Sequence, residues 1–315
     1  MKKNIYNRLE LYTLAVGLSI ALGFTACSDD PYDFDGVVLG VESNIGSPSA
    51  ANAKMTEVPA LQKGDVFVTH DLVFTHKEVN DLGNDTIIND TVMNYCLAYD
   101  TIQYHSRWVA FRFDGSNRTK VVDRSEDDPF TDDTQISAKH WIGSKGFGYG
   151  YDRGHLCASM DRRISRDAEK QTFFMTNMSP QMASFNQKYW LGYEEYVQGL
   201  GRNASFSDTL YVVKGGTIDK DKIIGHVYRT NGKQVAIPKF YYMALLKCKS
   251  SGYEAIAFWM EHKEYGTDAD KAEIARHAIS IDELEEYTGI DFFHNLPDGA
   301  ETEVEKTFNL SSWNL

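Results

Sequence analysis

The stretch that decides how this chain is read is Tyr151-Asp152-Arg153-Gly154-His155-Leu156, followed by Ser159-Met160-Asp161-Arg162. Behind it come Phe173-Phe174-Met175-Thr176-Asn177-Met178-Ser179-Pro180-Gln181, then Phe185-Asn186-Gln187 with Trp190 and Glu194. The segment from 123 to 186 is polar, glycine-dotted and irregular, and inside a compact domain such a stretch is more often a site than a spacer. Residues 186–200 read as a helix: Tyr189, Tyr193, Tyr196, Val197 and Leu200 give an apolar stripe, and Gly201 supplies a stop.

Taken as an ordered set, these elements resemble the DNA/RNA non-specific endonucleases, the sugar-nonspecific branch of the ββα-metal nucleases. The signature of that family is D-R-G-H, then N-x-x-P-Q and a helix opening with N-Q. Glu194 follows Asn186 by eight residues, the spacing the family shows. Further out, Trp108-Val109-Ala110 resembles the family's early strand and Val212-Val213-Lys214-Gly215-Gly216 its mid-domain strand and turn. Asp282-Glu283-Leu284-Glu285 with Thr288-Gly289 resembles its last helix, and residues 66–104 match least. The resemblance implies an α+β, ββα-metal nuclease fold, with a central mainly antiparallel sheet flanked by helices. It also implies hydrolysis of DNA and RNA with little sequence specificity, assisted by one divalent metal ion, Mg²⁺ or alternatively Mn²⁺.

The residue chemistry can be argued beside the resemblance. Hydrolysing a phosphodiester needs an activated water, neutralised phosphate charge and a stabilised leaving oxygen. His155 suits the first task, since an imidazole with a pKa near ~6.5 accepts a proton from water at neutral pH. Gly154 beside it is expected to let the backbone turn sharply. Asn186 offers a neutral amide oxygen, a hard ligand for Mg²⁺, and the same residue type would also serve as the N-cap of its helix. Glu194, two turns on, is expected on the same side of the helix and could hydrogen-bond a water carried by the metal.

Arg153 and an upstream arginine are expected to stabilise phosphate charge. The family places the upstream one some thirty residues before the histidine, which points to Arg124, with Arg118 as the alternative. Asp152 and Asn177 read as residues that shape the site, and Arg162, Arg163 and Arg166 as phosphate contacts. Cys157, two residues from His155, reads as packing, because this motif uses no thiol nucleophile. Cys96, Cys157 and Cys248 show no metal-binding spacing and read as free thiols.

The net charge of −13 over 315 residues, taken alone, argues against a nucleic-acid partner. It is unevenly spread: residues 139–188 hold eight Lys/Arg against four Asp/Glu, whereas 261–305 holds fourteen acidic residues against three basic ones. A local basic face can bind phosphate on an acidic protein, and the acidic tail reads as solvated surface. Strand patterns occur at 66–68, 72–74, 107–113, 209–213, 240–246 and 254–260, with a polar loop expected over 80–90. Ser280-Ile281-Asp282-Glu283 has the spacing of a capping box that opens a short helix ending before Gly289.

Residues 1–26 read as a lipoprotein signal peptide, with Lys2, Lys3 and Arg8 ahead of an apolar run shorter than the ~20 residues that span a bilayer. Phe24-Thr25-Ala26-Cys27 resembles a lipobox, which makes Cys27 the acylation site. Removal of residues 1–26, with three basic residues and one acidic one, takes the net charge from −13 to −15. Residues 27–64 are expected to be a flexible tether and 65–315 one nuclease domain. The expected location is outside the cytoplasm, lipid-anchored to the outer membrane on its periplasmic or cell-surface side. The competing readings are a lipoprotein that kept the fold but lost catalysis, and a glycan-binding surface lipoprotein. The intact set of His155, Asn186 and Glu194 argues against the first.

Overall fold

Residues His105–Phe113 form strand β3, and its side chains part alternately to two different cores, as the pleat of a strand requires. Val109, Phe111 and Phe113 enter one, while Trp108 and Ala110 enter the other. Both faces of this strand are therefore covered, which explains the consecutive buried residues from His105 to Phe111 where half-polar alternation would mark a solvated face. The computed structural model describes residues 55–79 and 85–315.

In chain order the further elements are strands β1 (Asp65–Val79), β2 (Asp85–Asp100), β4 (Tyr151–His155), β5 (Met178–Met182), β6 (Thr209–Gly216), β7 (Ile223–Tyr228), β8 (Gln234–Pro238), β9 (Phe240–Lys249), β10 (Gly252–Glu261) and β11 (Ala278–Ile279). The α-helices are α1 (Arg166–Gln171), α2 (Leu191–Arg202), α3 (Lys271–Arg276), α4 (Ile281–Thr288) and α5 (Asp298–Lys306). One sheet runs in the order β1-β2-β3-β6-β9-β10-β11 with every neighbouring pair antiparallel. Separate antiparallel pairs are formed by β4 with β5 and by β7 with β8. The fold is the expected α+β class, a large antiparallel sheet flanked by helices.

One face of the sheet packs against α2, whose Tyr193, Val197 and Leu200 meet Phe111, Val212 and Phe258. Each such side chain, taken out of water, contributes roughly 1.5–3 kcal/mol. The opposite face packs against α4 through Ile281 and Leu284, joined by Phe292 and Phe293. Ser280 caps α4 by accepting from Glu283 N at 3.1 Å, Glu283 returns a bond to Ser280 N, and Gly289 closes the helix in a left-handed conformation at φ 68°. That element is as the sequence signals predict.

Three expectations need correction. The polar loop expected over 80–90 is strand from Asp85 onward, because pairing with β1 supplies the ladder that the Asp- and Asn-rich stretch does not advertise. Asn186 is not an N-cap: it lies inside a π-helical turn, Phe185–Trp190, that runs directly into α2. The tether expected to reach residue 64 is part of the folded unit over its described residues. Val58 is 2% exposed, buried Glu57 pairs with Arg112 at 3.3 Å, and Ala60 N donates to Asp291 O at 2.9 Å. The signal sequence, Cys27 and the tether up to residue 54 lie outside the described residues.

Candidate active site

Strands β4 and β5 and the 185–202 helical run form a ββα unit, and it carries most of the residues singled out above. Asp152, Arg153 and Gly154 lie in β4 opposite Gln181, Pro180 and Ser179, and His155 ends the strand opposite Met178. Gly154 keeps extended strand backbone, so the sharp turn expected there does not occur. Its missing side chain serves another purpose. A Cβ at Gly154 would stand 2.1 Å from Gln181 Oε1 and 2.6 Å from Gln181 Cγ, so glycine is what lets the buried Gln181 side chain lie against β4 next to His155 in the chain.

His155, half-buried, packs edge-on against Phe173 at 5.0 Å and lies 5.7 Å from Phe130. The same two rings carry the flanking cations. Arg124 sits over Phe173 at 5.0 Å and donates to Ser159 Oγ at 3.0 Å, while Arg153 lies over Phe130 at 3.6 Å, held by Asp128 and by Ser144 O. Burial, followed by Arg124, Lys214 and Arg153, pulls the imidazole from its ordinary value down to about 3. It is therefore neutral at physiological pH and able to accept a proton. Its Nε2 is shut off from solvent with no hydrogen-bond partner among the described residues, which leaves Nδ1 as the nitrogen to meet a water.

A cavity of about 400 Å³ opens here, lined by Arg124, Arg153, His155, Arg163, Asn186 and Glu194 among others. Asp152 Oδ2 accepts from Asn186 Nδ2 at 3.0 Å and from Gln187 Nε2 at 2.8 Å. A carboxylate can only accept, so this contact fixes which end of the Asn186 amide is which and leaves Oδ1 for a ligand. Glu194 accepts from Trp190 Nε1 at 3.0 Å, and the same indole N–H reaches His155 O at 3.2 Å. Burial pushes the Glu194 carboxyl up to about 8, while nearby Lys214 opposes the shift.

Asn177, fully buried, accepts from Cys157 N and donates to Cys157 O and Thr172 O at 2.7–2.8 Å, clamping the backbone that leaves His155. Cys157 is buried too, and burial raises its thiol, consistent with packing. Among the other arginines, Arg118 lies outside the cavity, bonded to Ser207 O and Asp208 O. Arg163 stays a phosphate candidate, with a buried Nε that has no partner among the described residues. Arg162 does not. It is 1% exposed, stacks near Phe111 and Phe113 and donates to Asn94 O and Arg112 O, so the substrate contact expected of it is corrected to a structural role. Arg166 also lies outside the cavity lining. It binds Asp123 O, Ser125 Oγ and Glu169, and Glu169 in turn holds Ser125, so it fixes the loop that carries Arg124.

Sequence reasoning gave no role to Lys214 and Asp161, which form a fully buried ion pair of 2.8 Å beneath the site. Asp161 also accepts from Gln198 and from Ala158 N, so its charge is satisfied from three directions. Against burial, which pulls it down, Asp161 and Glu194 hold Lys214 above its ordinary value.

The sequence pattern of the DNA/RNA non-specific endonucleases matches residues 75–299, more than half of the chain and all of the geometry just described. The chain belongs to the DNA/RNA non-specific endonuclease family. A nuclease of Nostoc sp. is 30% identical over 221 residues, covering 67% of this chain and 75% of the relative. Mitochondrial endonuclease G of Homo sapiens is 28% identical over 213 residues, 64% and 68% of the two chains. A chain in the crystal structure of the EndoG/EndoGI complex superposes with a TM-score of 0.54 at 23% identity, covering 65% of this chain and 85% of that one, which shows the shared fold. As a member of this endonuclease family the protein is a nuclease hydrolase.

Proposed function

We propose that the protein hydrolyses phosphodiester bonds of DNA and RNA with little sequence specificity, using His155 as general base and one divalent metal ion held by Asn186. The observation that carries this reading is the convergence on one cavity of a neutral His155, the amide oxygen of Asn186 and the cations Arg124 and Arg153. The donor set suits a hard cation: Asn186 presents oxygen because Asp152 takes its NH₂, and the Glu194 carboxyl, raised by burial, lies on the same wall, where it would hydrogen-bond a water carried by the ion. Bound there, Mg²⁺ or Mn²⁺ would neutralise phosphate charge and stabilise the leaving 3′ oxygen.

The residues account for the rest. His155 Nδ1 accepts the proton of the attacking water as its oxygen bonds to phosphorus and the bond to the 3′ oxygen breaks. Arg124 and Arg153 face the phosphate and offset the charge that grows in the transition state. The incoming phosphate also cancels part of the cationic field that depresses His155, so the imidazole becomes a stronger base when substrate is in place. Asp152 and Asn177 act on position, the first through Asn186 and the second through the 157 backbone. Export and lipid anchoring through Cys27 are part of the proposal and are supported by the sequence alone.

Nicking of supercoiled plasmid in Mg²⁺, with EDTA as control, tests the reading. His155→Ala is expected to reduce the rate by roughly 10²–10⁴-fold while DNA binding and the melting temperature hold. A folded His155→Ala protein with near wild-type rate would sink the mechanism, and a wild type that binds DNA without nicking it would reduce the protein to a binding lipoprotein.

A further inference from the structure

Just before β4 the backbone enters the left-handed region at three successive residues: Gly148 at φ 74°, Tyr149 at φ 55° and Gly150 at φ 83°. The two glycines adopt this freely, whereas for tyrosine it is a strained conformation. Tyr149 is also 87% exposed, the most exposed large hydrophobic side chain among the described residues. Such a ring contributes little to the core and sits on backbone that opposes the fold, a combination met where a side chain serves a ligand.

The support beneath it is firm. Tyr151 N donates to Gly148 O at 3.0 Å, closing the turn. The preceding loop is gripped by Arg229, which donates to the carbonyls of Ile142, Gly143, Lys145 and Gly146 at 2.7–2.9 Å, and by Asp132, which accepts from Gly143 N. Phe147 is buried at 3% beneath the Arg229 guanidinium. The ring therefore stands on a fixed platform and not on a loose tip. Arg153 in the cavity wall lies four positions further on, at most roughly 13 Å of extended chain at ~3.3 Å per residue.

We propose that Tyr149 is a base-stacking platform that takes an unpaired nucleobase of the substrate a few nucleotides from the scissile phosphate, so that unpaired strands are gripped better than duplex. The inference rests on the nuclease reading. Stacking suits such an enzyme because every base offers a π-face, so the contact adds affinity without sequence preference. In a duplex the bases are stacked on one another, and the ring gains nothing from them.

The test is equilibrium binding, in EDTA to prevent cleavage, of a fluorescent single-stranded oligonucleotide and of the duplex of the same sequence to wild type, Tyr149→Gly and Tyr149→Phe. Tyr149→Gly should bind the single strand about five-fold or more weakly, keep duplex binding within about two-fold, and melt at or above the wild-type temperature because its backbone strain is relieved. Tyr149→Phe should match wild type in all three. Unchanged single-strand binding by Tyr149→Gly, an equal loss on both substrates, or a lower melting temperature would each overturn the proposal, the last by tying the ring to the fold. Plasmid nicking by the wild type keeps the two readings apart. An inactive wild type fails the nuclease reading, whereas an active one with indifferent Tyr149→Gly binding fails only the platform.

Discussion

Asn186 has one amide oxygen to give, and Asp152 decides where it points. Losing the oxygen and losing its orienter should therefore weaken the same step. Asn186→Ala is expected to shift the metal concentration for half-maximal rate upward by more than tenfold, with partial recovery in excess Mg²⁺ or Mn²⁺. Asp152→Ala should give a shift of about 10–100-fold in the same direction, as removal of an outer-shell partner typically does. Rate measured against metal concentration, with melts to establish folding, checks both, and an unmoved midpoint in Asn186→Ala would take the metal away from this residue. Residue type and order are enough to make His155, Asn186 and Glu194 legible in the sequence. Arg162 and Arg163 show the limit: two adjacent arginines look alike in the chain, yet one is stacked near Phe111 and Phe113 and the other lines the cavity. That difference is set by β3, a strand distant in the chain, and no local pattern carries it.

Within the ββα unit the tightest fit is between Gly154 and Gln181. Gln181 is fully buried, so a methyl group at 154 must displace its side chain or push β4 away from β5. Overpacking of this kind costs roughly 1–3 kcal/mol. Gly154→Ala is thus expected to lower the melting temperature by several degrees and, by moving His155, the turnover rate by about tenfold or more. Shortening Gln181 to Ala in the same chain should recover part of the melting loss, since the two sites are in contact and their effects do not add. A Gly154→Ala protein with wild-type melting and turnover would show that the close approach is harmless. Beneath the unit, the Asp161–Lys214 pair is a buried charge pair in which removal of either partner leaves the other uncompensated, an arrangement that typically costs roughly 3–5 kcal/mol when broken. The sequence announced α4 through its capping box and α2 through its apolar stripe. It did not announce the π turn at Phe185–Trp190, which places Asn186 by insertion into the helix and not by a cap.

Across the whole molecule the sheet separates two packed layers, with the catalytic candidates and α2 on one face and α4 and residues 55–61 on the other. The acidic excess that gives the chain its net charge of −13 thus coexists with a cavity whose walls carry Arg124, Arg153 and Arg163. At this scale the remaining expectation concerns where the molecule is held. If Cys27 is acylated, Cys27→Ser and globomycin should each leave a precursor still carrying residues 1–26, seen as a slower band by immunoblot. Normal processing of Cys27→Ser would return the segment to an ordinary signal peptide. The sequence by itself determined the family and suggested the chemistry proposed for it, because D-R-G-H, N-x-x-P-Q and the helix bearing Asn186 and Glu194 are local strings that carry the residue types of the proposed reaction. Only the tertiary structure decided which arginines reach the cavity, why position 154 must lack a side chain, that β2 is a strand and that residues 55–62 are packed. Each of these depends on contacts between segments far apart in the chain, where burial and pairing are set by the partner as much as by the residue itself.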